Sequence, residues 1–369
     1  MTNHKVECKL VAILSAVVKG YSRSMGRMKL EQSISSNNLF DKEVRKMKKE
    51  EKGVSRRQFL TGSAAIGLGG LLSKKIFAQS KDTIPLQKSG TRLILLGTGG
   101  GPRPNKMRAE PSLVILVNNV PYVVDCGEGV SRQLAFANVL VRNLRYIFIT
   151  HHHSDHNLNY GNLIYNAWVS GFKGRIDTYG PPPLEKMTKL YFEMNAYDIN
   201  IRIPDEGRPP LSPMIFAHEF SKDGVVMQNE HVKVTAALVN HPPVEPSFAY
   251  RFDTPDRSIV FSGDTTPWDN LIKLAQGVDV LVHEVIHKPS LARLMARIPN
   301  ADRLIEHIVA CHTTHIDVGK VAKAAGVKML VLTHIVPADD PSLTDEMLIE
   351  GAKTHFDGKI IVGKDLMEV

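Results

Sequence analysis

The sequence predicts an α/β (α+β) fold, a single domain with sheets sandwiched between helices. Three observations carry this. Short runs of β-branched and aromatic residues are bounded by Gly, Pro, Asn and Asp, as strands are. The predicted elements come as strands, helices, strands, helices, which is the order of sheets layered under helices. No internal repeat and no low-complexity linker divides the chain beyond its leader.

Residues 91–96 form the first strand pattern, which ends in Gly97-Thr98-Gly99-Gly100-Gly101-Pro102. No Lys-Ser or Lys-Thr follows, so this is not a nucleotide loop; it reads as a tight turn that lets backbone approach a site. Residues 112–117 and 121–124 alternate around Asn118-Asn119, a hairpin signal, and the second run ends in Asp125-Cys126-Gly127-Glu128-Gly129. A helix is predicted over 130–137, a buried strand over 146–149, and a helix from about Asn159. A short strand, 176–179, precedes Gly180-Pro181-Pro182-Pro183, which opens a helix over 184–195. Residues 201–213 are proline-rich and read as a surface excursion that shapes substrate access. Strands follow at 214–219, 232–239, 248–252, 258–261 and 278–282, the last closing on His283-Glu284. A helical region then leads to His312-Thr313-Thr314-His315, a helix over 317–325, and a last core strand, 329–332, ending in Thr333-His334.

Composition narrows the class. With 43% hydrophobic and 23% charged residues in 369, a large core is within reach. The net charge of +8 invites a polyanion partner, but it is unevenly placed. Residues 1–78 hold 16 of the 46 Lys and Arg and 6 of the 38 Asp and Glu, which leaves 30 basic and 32 acidic residues beyond them. The folded part therefore has no global attraction for nucleic acid.

The leader has its own logic. Ser55-Arg56-Arg57-Gln58-Phe59-Leu60 precedes a weakly apolar, small-residue stretch, 61–72, and then Lys74-Lys75-Ile76-Phe77-Ala78. This resembles a bacterial twin-arginine signal peptide, although Ile76 replaces the usual small residue before the cleavage-like Ala78. It implies a partner, the twin-arginine export machinery, and a periplasmic location. No stretch reaches the roughly 18–20 apolar residues of a spanning helix, so no stable membrane span is expected. Met47-Lys48-Lys49 is a natural start for such a signal, so residues 1–46 are expected to be untranslated or disordered. A peptide from residues 1–46, found by sequencing the unprocessed protein, would refute that start. Residues 47–78 are then the signal, and 79–369 the functional domain. Of the three cysteines, Cys126 and Cys311 fall in that domain, and two buried thiols are expected rather than a bridge.

The chemistry concentrates in Thr150-His151-His152-His153-Ser154-Asp155-His156-Asn157, directly after the 146–149 strand. Open α/β folds collect ligands at strand C-termini. Imidazole nitrogens suit zinc, iron and related ions, and a carboxylate adds a harder oxygen. Alternate residues of an extended turn point one way, so His151 and His153 can grip one ion, and Asp155 and His156 can reach a second. His152 is out of phase with them and is not a ligand on this reading. Three more residues, His241, Asp264 and His334, stand singly at strand ends.

His-x-His-x-Asp-His followed in order by His241, Asp264 and His334 resembles the metallo-β-lactamase superfamily, over about residues 91–362. Leu96-Gly97-Thr98-Gly99-Gly100, Asp125-Cys126-Gly127-Glu128-Gly129, and His312-Thr313-Thr314 ahead of Leu332-Thr333-His334 look most like its ribonuclease Z and arylsulfatase-like branch. The resemblance implies a four-layer αββα sandwich with one or two metals at one sheet edge. His151, His153 and His241 would hold the first ion, Asp155, His156 and His334 the second, with Asp264 bridging. Two divalent ions are implied, zinc first, with manganese or iron as alternatives. His312 would be a general acid. Asp125 and Glu284 would either orient histidines or serve structure alone, and His283, His287 and His315 are read as structural.

The implied activity is metal-dependent hydrolysis of a small-molecule ester: aryl sulfate, phosphodiester, carboxylic ester or lactone. Hydroxide generated at the metals attacks, Asp155 holds its remaining proton, and His312 protonates the departing oxygen. Ribonuclease Z-like processing of tRNA 3′ ends is the alternative. Against it stand the acidic balance beyond the leader, export, and the lack of a basic, glycine-rich arm between His156 and His241. Nucleic acid is thus not the expected partner; a homodimer is left open. Two further alternatives are a non-catalytic metal or ligand binder and an iron oxidoreductase on the same scaffold. Pocket walls are expected from 160–215 and 285–310, and Trp168, Tyr191, Phe192 and Tyr197 are read as core ahead of lining.

Overall fold

The computed structural model describes residues 90–298 and 303–369. The twin-arginine signal, the start at Met47 and residues 1–46 lie outside the described residues. Six strands pair in chain order into one sheet: β1 (Thr91–Gly97), β2 (Ser112–Val117), β3 (Val120–Val124), β4 (Tyr146–Phe148), β5 (Ile176–Gly180) and β6 (Ile215–Glu219). A second sheet contains β7 (Gly224–Gln228), β8 (Lys233–Leu238), β9 (Phe248–Asp253), β10 (Ser258–Phe261), β11 (Val280–Ile286), β12 (Met329–Val336) and β13 (Lys359–Val362), again as a simple progression. Each sheet is antiparallel where hairpins connect neighbours and parallel from β3 to β6 and from β10 to β13, where helices cross over.

Side-chain alternation sets the layers. Leu93 and Leu95 of β1, with Leu113, Ile115 and Val117 of β2, enter the core between the sheets, while Ile94, Leu96, Val114 and Leu116 face the other way. In the second sheet Val280, Val282 and Val331 point inward, and Leu281, Leu330 and Leu332 point outward. Phe148 sits in the middle, 5.1 Å from Tyr179, 5.5 Å from Tyr250 and 5.2 Å from Phe252 by ring centroids. The outer face of the first sheet is covered by α1 (Val130–Phe136) and α3 (Tyr160–Val169), which place Leu134, Leu163 and Trp168 in that core. Between them in sequence lies the single turn α2 (Ser154–Asn157). Next in the chain come α4 (Leu184–Met194) and α5 (Ala196–Glu206). The second sheet is covered by α6 (Asp269–Leu274), α9 (Asp317–Ala325) and α10 (Asp345–Lys353), through Leu271, Val318, Val321 and Leu348. A fourth cluster forms around α7 (Leu291–Met295) and α8 (Leu304–Cys311). The expected four-layer αββα sandwich is what forms. No helix among the described residues is long and apolar enough to cross a membrane.

The predicted hairpin is present: Asn118 and Asn119 both take positive φ, 48° and 67°, as a tight two-residue turn requires. Three expectations need correction, and one strand was not expected. Residues 201–206 are not a surface excursion but the end of α5, which carries Pro204 inside it and stops at Gly207 with φ 66°. β11 does not close at Val282; it continues through His283 and Glu284 to Ile286, because β12 keeps pairing with it. Residues 329–332 are not the last core strand, since α10 and β13 follow. β7, unforeseen, is a largely exposed edge strand.

The glycine run is tightly built. A Cβ on Gly97 would lie 1.8 Å from the Glu110 carbonyl oxygen, a backbone atom that cannot turn away. Gly97→Ala is expected to cost about 1–3 kcal/mol of stability, the usual cost of overpacking. The midpoint of urea unfolding measures this, and an unchanged midpoint would mean that the end of β1 shifts freely.

Candidate metal centre

The centre forms where strand ends of both sheets meet. β4 stops at Phe148, and the chain then runs extended through His151 to His153 before α2 begins. Extended backbone turns His151 and His153 to the same side, and the first turn of α2 adds Asp155 and His156. His241 follows β8 and Asp264 follows β10. His334 sits within β12 as a bulge: Thr333 pairs with Glu284 and Ile335 with Val285, and His334 is left over, with φ 44°. A bulge re-aims a side chain, and here backbone strain accompanies a residue at the centre.

The residues assigned to the two ions form two donor groups, and His312 lies close enough to Asp264 and His334 to make a third with them. His151, His153, His241 and Asp264 offer atoms within 4.8 Å of one another, and so do Asp155, His156 and His334. Asp264 joins them: its Oδ2 is 3.8 Å from His151 Nε2, 3.8 Å from His241 Nε2, 3.3 Å from His156 Nε2 and 3.1 Å from His334 Nε2. The residues that the sequence assigned to two ions and a bridge are thus all brought together.

Three of the rings are aimed from behind. His156 Nδ1 donates to Asp125 Oδ2 at 2.7 Å, and His241 Nδ1 to the Cys311 carbonyl at 2.9 Å. His151 Nδ1 lies 3.0 Å from Thr150 Oγ1, which itself contacts both Asp125 oxygens. Asp125, at φ 59°, also accepts from the Thr150 N–H at 2.8 Å. Such partners hold a ligand's tautomer and orientation. Asp125→Asn is therefore expected to weaken metal binding about 10- to 100-fold with little change in fold, measured by chelator competition. Unchanged affinity would leave Asp125 a purely structural group.

The glycine turn supplies the remaining wall. A Cβ on Gly100 would lie 2.6 Å from His334 Nδ1, so only glycine lets the backbone pass that ring. The Gly101 N–H donates to Asp155 Oδ2 at 2.9 Å.

Electrostatics show what the pocket wants. Burial pushes His151 well below the ordinary imidazole range, lowers His241, and brings His153 down to about 4 with His241 beside it. Those three are neutral, as ligands must be. Burial pushes His156 and His334 the same way, but Asp264 and Asp155 outweigh it, so His156 is raised well above its ordinary value and His334 to about 9. The carboxylates hold protons where a cation is favoured. His151 Nε2, His156 Nε2, Asp264 Oδ1 and both His334 nitrogens are buried without hydrogen-bond partners. Leaving one such atom unpaired costs about 1–3 kcal/mol, so converging atoms of this kind fit divalent cations and little else. The cluster is consistent with a binuclear metal site.

Comparison with known proteins decides the family. A model described as a beta-lactamase superfamily domain matches residues 121–335. The chain belongs to the metallo-β-lactamase superfamily. Within it, the chain is 34% identical over 280 residues to a ribonuclease Z of Mycobacterium bovis, covering 75% of this chain and 97% of that protein. A ribonuclease Z of Mycolicibacterium gilvum is 33% identical over 279 residues, covering 74% and 94%. Among solved structures, the metallo-beta-lactamase fold protein YhfI from Bacillus subtilis has a TM-score of 0.57 at 21% identity, covering 76% of this chain and 98% of that one. The short form of human tRNase Z has a TM-score of 0.56 at 21% identity, covering 75% and 98%. These two similarities show the shared metallo-β-lactamase fold. As a member with the whole donor set, the protein is a metal-dependent hydrolase acting on ester bonds.

The other residues singled out from the sequence divide. His312 lies at the cluster: its Nδ1 is 3.1 Å from Glu284 Oε1 and 3.9 Å from Asp264 Oδ2. Glu284 Oε1 also accepts the N–H groups of Thr265 and Thr313, so it is the carboxylate that orients His312. His152 is turned away, held by the Pro181 carbonyl and Asn157. Cys126 and Cys311 are free, buried thiols. Of the expected pocket walls, 285–310 contributes but 160–215 does not, because that segment packs on the outer face of the first sheet, with Trp168 in its core. His307 was missed. It stands at the pocket, its ring centroid 6.3 Å from that of His153. The signal was its place in α8, where Leu304, His307, Ile308 and Cys311 fall at helical spacing on one face.

Proposed function

We propose that the protein is a metal-dependent phosphodiesterase of ribonuclease Z type, with 3′-extended tRNA as the leading substrate. His151, His153 and His241 would hold one divalent ion and Asp155, His156 and His334 a second, with Asp264 placed to serve both. The histidine-rich donor set suits zinc first, manganese or iron next. When bound, such a pair supplies acidified water and a polarised ester oxygen. Asp155, steadied by the Gly101 N–H, takes up the attacking water's proton. His312 gives a proton to the departing oxygen, and Glu284 holds the ring in place while it does so.

The observation that carries this is the 34% identity running over 97% of a ribonuclease Z, joined to a complete donor set. It moves the weight from a general ester hydrolase to phosphodiester chemistry. The test is cleavage of a 3′-extended tRNA and of small phosphodiesters, aryl sulfates and lactones by protein loaded with Zn, Mn or Fe. Metal-dependent release of the 3′ extension supports the proposal. Turnover of sulfates or lactones with no phosphodiester cleaved would overturn it.

A second reading is favoured by Arg56-Arg57 and the apolar stretch after them. An exported enzyme is parted from tRNA, and its phosphodiester chemistry then serves a small molecule. Cell fractionation separates the two: a periplasmic, shortened protein supports the second, a cytoplasmic full-length one the first.

A further inference from the structure

The last turn of α8 carries two donor side chains of different softness, an imidazole at His307 and a thiol at Cys311. Residues four apart on a helix stack on one face, and His307 Nε2 lies 3.9 Å from Cys311 Sγ. Zinc bonds of about 2.3 Å to sulfur and about 2.0–2.1 Å to nitrogen span about 3.6 Å at a tetrahedral angle, so a small turn of the exposed His307 ring brings the pair onto one ion. A third donor is next in the chain: a nitrogen of His312, the Cys311 thiol and a nitrogen of His241 lie within 4.8 Å of one another. His241 is engaged on both sides, its Nδ1 with the Cys311 carbonyl and its Nε2 facing His153 and Asp264. His307 and His312 are not. Both line the cavity of about 400 Å³ into which the centre opens, which gives an ion a way in. The Cys311 thiol donates only to carbonyls of its own helix, His307 at 3.0 Å foremost, and a thiol is a weak donor, so little is lost when a metal displaces its proton. The seven residues assigned to the two ions include no sulfur, and Cys126 joins no donor cluster among the described residues.

We propose that His307, Cys311 and His312 form a third metal site beside the two-ion centre, one that takes a soft divalent cation such as zinc and switches turnover off when filled. The thiolate sets the preference, since sulfur favours zinc over the harder manganese and magnesium. Binding releases the Cys311 thiol proton to solvent, and water completes the fourth position. The site is weaker than the centre, because a further cation must be added beside two others. It silences by occupation: a His312 ring held through a nitrogen no longer gives a proton to the departing oxygen. That consequence rests on the phosphodiesterase reading above, whereas the site itself rests on donor geometry.

Titration of the metal-free protein with Co(II) tests the site. The centre should fill first, without thiolate-to-cobalt charge-transfer absorption in the near ultraviolet, since its donors are nitrogen and oxygen. A third equivalent should bind more weakly and bring that absorption in. Cys311→Ser should remove both the absorption and the third equivalent. His307→Gln, at an exposed position, should weaken the third equivalent at least about tenfold, because losing even a group that only orients a ligand costs that much. Thermal unfolding checks the fold of each variant. No such absorption in the wild type, absorption that survives Cys311→Ser, or third-ion affinity unchanged in His307→Gln overturns the proposal. Turnover is read separately, with zinc. Hydrolysis of an alkyl phosphodiester should fall by at least about a hundredfold as the third zinc binds, the lower end of what a general acid supplies. In Cys311→Ser, excess zinc should leave that variant's own rate unchanged. A third zinc bound with no loss of rate overturns the switch. The absorption with no phosphodiester cleaved at two zinc ions per chain removes the phosphodiesterase reading and leaves the metal site, whereas cleavage with no absorption removes the metal site alone.

Discussion

Asp264→Ala is expected to lower metal content below two ions per chain and to cut turnover by about a thousandfold or more. The reason is position. One oxygen, Asp264 Oδ2, lies 3.1–3.8 Å from the Nε2 atoms of His151, His156, His241 and His334. Burial alone would raise this carboxyl's pKa, yet His334 and His156 hold it well below the ordinary carboxylate range. Without it, the four imidazoles face one another across a gap with no central anion, and a pair of cations held there would lose the carboxylate that lies between their donor groups. Transition-state stabilisation from such a pair is worth several kcal/mol, which is the thousandfold. Fold should survive, since Asp264 sits in the loop after β10 and is not part of the apolar core between the sheets. Metal analysis on the purified variant, beside kcat/KM for a phosphodiester, decides it. Two ions retained with less than a tenfold loss would show that Asp264 is a neighbour of the centre and not its bridge.

The same geometry explains why so much of the centre could be read from sequence. His151, His153, Asp155 and His156 are local: strand, extended turn and first helical turn fix their directions within six residues. His241, Asp264 and His334 are distant in sequence, but each follows or interrupts a strand whose run of β-branched residues is plain. What pattern could not supply is aim. That Asp125 backs His156, and Glu284 backs His312, depends on register between strands far apart in the chain. The bulge at His334 is likewise a property of the β11–β12 pairing, not of Thr333-His334-Ile335. The pocket walls were half legible for a related reason. Residues 160–215 carry aromatic residues, but Trp168 spends its ring on the outer core and its Nε1–H on the Pro209 carbonyl. Pro204 read as a breaker; the turns of α5 that precede it were enough to carry the helix to Gly207. β13 was missed because four residues at a sheet edge, half of them partly exposed, leave too faint a pattern.

Replacing His312 gives the second large effect, and it should depend on what departs. Protonation of a leaving oxygen is worth about 10²- to 10⁴-fold where that oxygen is strongly basic, and little where it leaves unaided. His312→Ala is therefore expected to slow hydrolysis of an alkyl phosphodiester by at least about a hundredfold. Loss of a p-nitrophenolate from the matched aryl ester should fall by less than about tenfold. Both metal ions should stay, because His312 Nδ1 is taken up by Glu284 Oε1 at 3.1 Å and the seven residues assigned to the ions are untouched. Glu284→Gln extends the test. Glu284 Oε1 takes the His312 Nδ1–H at 3.1 Å and is pinned by the Thr265 and Thr313 N–H groups, so the neutral amide keeps the shape and loses the charge that favours the imidazolium. Its losses should follow the same leaving-group order at smaller size. If His312→Ala slows both esters equally, the ring orients substrate or ions and the proton comes from elsewhere; if the metals are lost with it, His312 belongs to their donor set.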